Sequence, residues 1–175
     1  MKSIIEVIGE VCASTGEAKG MNISYIFGDT EYIRNTLAMY SKSREINDLK
    51  FPLIALFTPF NEDRTNRGYF TSAGVSLMIA TSTLSKYTNE ERMCNSFIPV
   101  LRPIYECFLD RLRNNRDIVV QYNGVIPHTY QENYSFGSRG AMDSKNKPLD
   151  DLIDAINISN LKINVKNKQC YGTRY

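Results

Sequence analysis

Two apolar segments separated by a polar loop, and the long capped helix that follows them, constrain this chain more than anything else in it. Phe51-Pro52-Leu53-Ile54-Ala55-Leu56-Phe57 reads as one strand and Val75-Ser76-Leu77-Met78-Ile79-Ala80-Thr81 as the strand returning from it. Pro52 donates no ladder hydrogen bond, so it belongs at a strand end or on an edge. The loop between them, Asn61-Glu62-Asp63-Arg64-Thr65-Asn66-Arg67-Gly68, is longer than a minimal hairpin turn and is therefore a candidate working tip. Its mixed charges largely cancel, which suits docking to protein better than gripping phosphate.

Thr88-Asn89-Glu90-Glu91 has the form of a capping box, in which threonine and glutamate satisfy each other's backbone donors. Met93, Phe97, Leu101, Ile104, Phe108 and Leu112 follow at intervals of three or four, a sustained buried stripe. Pro99 and Pro103 each remove a donor and crowd the preceding turn, so a kink or break is expected near Ile98.

Upstream, Ile4, Ile5, Ile8 and Val11 predict a short amphipathic helix over 3–13, ended by the segment Ser14 to Gly20. That segment has a superficial phosphate-loop flavour but lacks Gly-Lys-Ser/Thr, so a helix-ending turn is the reading. A brief strand is expected from Ile23 to Phe27. A second helix, capped by Asp29 or Thr30, carries Tyr32, Ile33, Leu37 and Tyr40 on one face. Downstream, residues 118–134 look strand-like and 135–148 loop-like. Leu161, Ile163 and Val165 alternate with Lys162, Asn164 and Lys166 as a half-buried strand, started or preceded by Asp154 to Ile158.

At 175 residues the chain suits one domain, with a helical part at 1–48, the hairpin and helix at 49–115, and strands at 116–175. Twenty-one basic against 19 acidic residues leave +2, too little for a protein held on nucleic acid chiefly by phosphate attraction. Cys12, Cys94, Cys107 and Cys170 show no Cys-x-x-Cys spacing and read as free thiols. Glu6 interrupts what a signal peptide would need, and the apolar runs are shorter than a membrane helix, so a cytoplasmic chain is expected.

Little here offers chemistry. His128 is the single histidine, and Glu132 lies about 13 Å of extended chain away from it, so a structural or solvated histidine is the reading. Glu62-Asp63 and Asp150-Asp151 with Asp154 are acidic groups of the kind that two-metal nucleases cluster. Adjacent side chains on extended backbone point to opposite faces, however, which favours solvated positions or salt bridges. No catalytic, cofactor or metal residue is assigned. Of the eleven tyrosines, Tyr122, Tyr130, Tyr134, Tyr171 and Tyr175 crowd the C-terminal third, which fits either an interface or ordinary partial burial.

Several phrases carry a likeness: FPLIALF, GVSLMIATST, YTNEERMCNSFIPVLRPIYECFL and LDDLIDAINISNLKINV, together spanning roughly residues 50–165. In them the chain resembles the head–tail joining and tail-completion proteins of tailed bacteriophages, in particular small neck proteins of phages of Bacteroides-type hosts, the crAss-like group included. The resemblance implies a tail-terminator-like α+β domain, with a mainly antiparallel sheet, a long hairpin and flanking helices. It implies a non-enzymatic virion protein, made in the bacterial cytoplasm, that forms a six- or twelve-fold ring at the head–tail junction. Its partners would be further copies of itself, portal or adaptor and tail proteins, and genomic DNA passing through the lumen; no cofactor or membrane is implied. Carried over, Asn61 to Gly68 become the projecting loop, and Asp154, Ile156, Leu161, Ile163 and Val165 the subunit-packing edge. A ring needs two unlike surfaces per subunit, and open sheet edges supply them. The alternatives are a small metal-dependent enzyme or nuclease accessory factor on Asp150, Asp151 and Asp154, or a DNA-binding regulator.

Overall fold

A computed structural model describes residues 2–42, 49–65, 69–120, 124–134 and 152–167. Helix α1 (Ile4–Lys19) starts in a capping box, Ser3 Oγ accepting from Glu6 N at 3.2 Å while Glu6 Oε2 accepts from Ser3 N at 2.6 Å. It outruns the expected end at residue 13. Thr15 donates its hydroxyl back to Val11 O, and the chain leaves the helix only at Gly20, which lies at φ +63°. Gly20 N bonds to Glu17 O and Met21 N to Gly16 O, closing the last carbonyls in a Schellman turn. Gly16, which reads as a breaker, is the residue on which this turn folds back: a Cβ there would stand 2.8 Å from Met21 O.

Strand β1 (Ser24–Gly28) leads into α2 (Thr30–Lys42), whose first turn is capped by Asp29 Oδ1 accepting from Tyr32 N at 2.7 Å. Ile33 and Leu37 are buried, but Tyr32 is 58% exposed and not on their face. Next come β2 (Leu53–Phe57), the two-residue β3 (Glu62–Asp63) and the long β4 (Phe70–Ser82). The expected hairpin is present, with Leu53 opposite Ala80 and Phe57 opposite Ser76.

Helix α3 has three stretches: α-helical Asn89–Arg92, π-helical Met93–Leu101 and α-helical Arg102–Arg113. The Thr88 capping box forms as expected. No break occurs at Ile98. The helix widens instead, Arg102 N reaching Phe97 O five residues back. A wider turn relieves the clash that a proline ring makes with the carbonyl four residues earlier, so Pro99 is absorbed and Pro103 falls in the first turn of the final stretch. The stripe survives, with Phe97, Leu101, Ile104, Phe108 and Leu112 all buried.

Strands β5 (Thr129–Asn133) and β6 (Ile153–Lys166) complete a six-stranded sheet in the order β1-β2-β4-β6-β5, with β3 on β4 beyond the end of β2. Only the β1–β2 pair is parallel. The fold is therefore a single α+β domain with a mostly antiparallel sheet. Residues 118–120 do not form the expected strand; Ile118 makes one bridge to Val165, and Val119 N bonds to Asn164 O.

Alternation sends side chains of each strand to two faces. One face, with Ile54, Leu56, Val75, Leu77 and Ile79, packs under α1 and α3. The other, with Ile26, Leu53, Ala55, Met78 and Ala80, packs under α2. In β6 the alternation changes parity. Ile156 and Ile158 lie on the α1/α3 face, and so do Leu161, Ile163 and Val165. A bulge makes this consistent: Ser159 and Asn160 together oppose Ser76, and Asn160 takes φ +54°.

One expectation is corrected by this topology. Asp154, Ile156, Leu161, Ile163 and Val165 are not an edge. β6 is paired with β4 along its length, and its other side is taken by β5, Ile118, Val119 and Pro127. All five side chains are buried. Alternation reports that one face is covered, and it carries no information about whether a strand's flanks are paired.

Candidate functional site

Among the described residues the outermost strands of the sheet are β1 on one side and β5 on the other. Beside β5 lies a cluster of polar and aromatic side chains. Tyr130 and Glu132 alternate along β5 onto the face that packs against α3, and α3 supplies Phe97, Arg102 and Tyr105. Arg102 grips Glu132 with two bonds, Nε to Oε1 at 2.7 Å and Nη2 to Oε2 at 3.2 Å. Tyr130 donates to Oε1 at 2.6 Å and Tyr134 to Oε2 at 2.9 Å. Four donors on one carboxylate favour its ionised form. The Arg102 bonds lead in holding Glu132 at about 2, below the usual carboxylate range, with the tyrosine bonds adding to them. Partial burial, with the adjacent carboxylate, pushes the Tyr130 and Tyr134 phenols up.

Aromatic contacts close the seam. Phe97 stacks on Tyr134 with ring centroids 4.3 Å apart, and Tyr105 sits 4.8 Å from Tyr130. His128 is drawn in as well: its Nδ1 donates to Ile126 O at 2.7 Å, so in the neutral ring Nε2 accepts from Tyr105 OH at 2.6 Å. The histidine thus has a structural partner on each nitrogen, as its isolation in the sequence suggests. Tyr130 remains 38% exposed, at the rim of this cluster and on the sheet's flank.

The described part of the hairpin tip, residues 61–65, pairs its charges locally. Glu62 and Asp63 lie on the sheet as β3. Arg64 Nε and Nη2 both turn back to Glu62 Oε2, at 2.8 and 2.5 Å. Asp63 Oδ1 accepts from both the backbone and the hydroxyl of Thr65. Asn61 is exposed beside them, and Asn66, Arg67 and Gly68 lie outside the described residues. Asp154 is fully buried against Arg92 at 3.1 Å, while Asp150 and Asp151 lie outside the described residues. Among the described residues no group of three His, Cys, Asp or Glu side chains is placed to hold a metal ion. No helix among them is long and apolar enough to cross a membrane. Cys12, Cys94 and Cys107 are free thiols; Cys170, Tyr122, Tyr171 and Tyr175 lie outside the described residues.

Of the tyrosines singled out in the sequence, Tyr130 and Tyr134 do converge. Arg102, Tyr105 and Phe97 were not legible as their partners. One signal was present: Tyr130-x-Glu132-x-Tyr134 places a carboxylate between two phenols at a spacing of two, which on extended chain is one face. Nothing local points to the arginine 30 residues upstream. Fold and site together define a single-domain α+β protein with an ordered tyrosine–arginine seam on one flank of its sheet. Comparison of the chain with protein-family models, curated proteins and solved structures found no match.

Proposed function

We propose that this chain is a structural subunit that assembles side by side into a ring at the head–tail junction of a tailed bacteriophage. The phage context rests on the resemblance in the sequence phrases quoted above. The observation that carries ring assembly is the pair of unlike outermost strands, β1 and β5, on opposite flanks of one sheet among the described residues. Closed rings need two different surfaces per subunit, related by a rotation. Unpaired strand flanks are the surfaces that proteins otherwise blunt to prevent association. The near-neutral charge, +2 overall, suits a channel along which DNA slides rather than sticks.

The mechanism is geometric: contacts between copies set the diameter, and the ring's two rims meet its neighbours in the stack. Quantitative mass spectrometry of purified virus particles tests this directly. A fixed stoichiometry against the portal protein, one to one or one to two, is the expected result and gives the symmetry. Absence from particles, despite expression during infection, overturns the proposal.

A further inference from the structure

The geometry points to a specific contact between copies: the β5 strand of one copy pairs antiparallel with the β1 strand of the next, continuing the sheet across the interface. This rests on the ring reading and deepens it by naming the two strands that meet. Four observations support it, beginning with strand sense. Since β4 is antiparallel to β2 and β6, and β5 antiparallel to β6, strands β4 and β5 run one way and β1, β2 and β6 the other. Rotation about an axis along the strands preserves every strand's sense, so β5 would meet a neighbour's β1 antiparallel, the commoner pairing.

The second is length and backbone. Both strands are five residues long. In β1, Ser24 N bonds to Pro52 O and Thr58 N to Gly28 O, so residues 24, 26 and 28 turn their backbone groups inward to β2. Tyr25 and Phe27 therefore turn theirs outward, where a neighbour can pair with them.

The third is what the flanks lack. Neither strand carries a proline or lysine, the usual guards against pairing. The one charge, Glu132, is neutralised by Arg102 of its own chain.

The fourth is side-chain complementarity. Tyr25 donates its hydroxyl to Ile5 O of α1, and Phe27 shares that face, its ring 6.1 Å from Tyr25. Tyr130 lies on the same sheet face, under α3. Cyclic rotation keeps faces matched, so full overlap of the strands sets Phe27, 47% exposed, opposite Tyr130, 38% exposed. An aromatic cross-strand pair of this kind stabilises a ladder. The same overlap brings the exposed acidic residues Asp29 and Glu31, which follow β1, toward the start of β5, where the backbone N–H of Lys162 donates to Pro127 O.

The test is native mass spectrometry with sedimentation velocity on the full chain and three variants: Phe27→Lys, Tyr130→Glu and the double variant. Phe27 is half exposed, so its lysine variant folds, which a circular-dichroism melt verifies. The expected result is a closed oligomer for the parent chain, monomers for each single variant, and recovery of the oligomer in the double variant through the new Lys–Glu pair. Parent-like oligomers in both single variants overturn the β5–β1 contact and leave the ring itself standing. A parent chain that is monomeric at every concentration overturns the self-pairing, and absence from particles then removes the ring reading as well. If Tyr130→Glu alone fails to fold, Phe27→Pro decides. It removes one outward amide and leaves the inner ladder in place, so an unchanged oligomer would overturn the proposal.

Discussion

Arg92 is the largest fully buried side chain among the described residues, and its guanidinium binds four acceptors: Tyr87 O, Thr83 Oγ1, Leu84 O and Asp154 Oδ1. It ties the turn between β4 and α3 to the start of β6. Its partner's second oxygen, Asp154 Oδ2, is buried with no hydrogen-bond partner among the described residues. Removing Arg92 strands that carboxylate in the interior, so Arg92→Ala is expected to cost about 3–5 kcal/mol in urea denaturation. Replacing both partners with apolar residues should cost much less, because no buried charge is then left alone. Glu132 gives a residue-scale prediction with a sign. Its folded-state value, about 2, lies below the ordinary one, so its contribution is fully present above about 4.3. That contribution is lost as pH falls from about 5 toward 2. Glu132→Gln should therefore flatten the pH dependence of stability across that window and lower stability at pH 7 by about 1 kcal/mol, a modest figure because Arg102 is partly exposed.

Among the elements, β6 depends on its bulge. Run in simple alternation, the same residues would turn Leu161, Ile163 and Val165 away from α1 and α3, whereas deleting Asn160 removes the extra residue, leaves Ser159 alone opposite Ser76 and keeps all three facing those helices. We expect that deletion to keep the dispersed amide spectrum of a packed domain, and Asn160→Gly, which accepts φ +54° freely, to fold at least as well as the parent. Much of the element inventory was legible from local pattern: the hairpin, the Thr88 cap, the long stripe and the alternation at 161–165. Pairing partners were not, because β4 and β6 meet across most of the chain and alternation does not say which strand ends up central. The two prolines announced a disturbance but not its form. Whether a helix breaks or widens is decided by the tertiary packing of Phe97, Leu101 and Ile104, which no local window contains. Arg102 escaped notice for the same reason: its partner is on another element.

On the scale of the whole molecule, the small net charge predicts weak duplex-DNA binding. Fluorescence anisotropy against salt should give a slope matching only a few phosphate contacts; a steep slope would favour a regulator. The sheet's uneven cladding has a further consequence. Helices α1 and α3 cover one face, while on the other α2 covers the β1–β2 side and, among the described residues, no helix covers the rest, where Ser72 and Asn164 lie half-buried and bonded to each other and Gly74 and Gln131 are exposed. The described part of the domain is therefore three layers thick at one flank and two at the other, a taper rather than a slab. Tapered units laid flank to flank turn through an angle at every joint, as the stones of an arch do. The bulk of α2, packed on the joining strand β1, would then govern how many units it takes to come full circle.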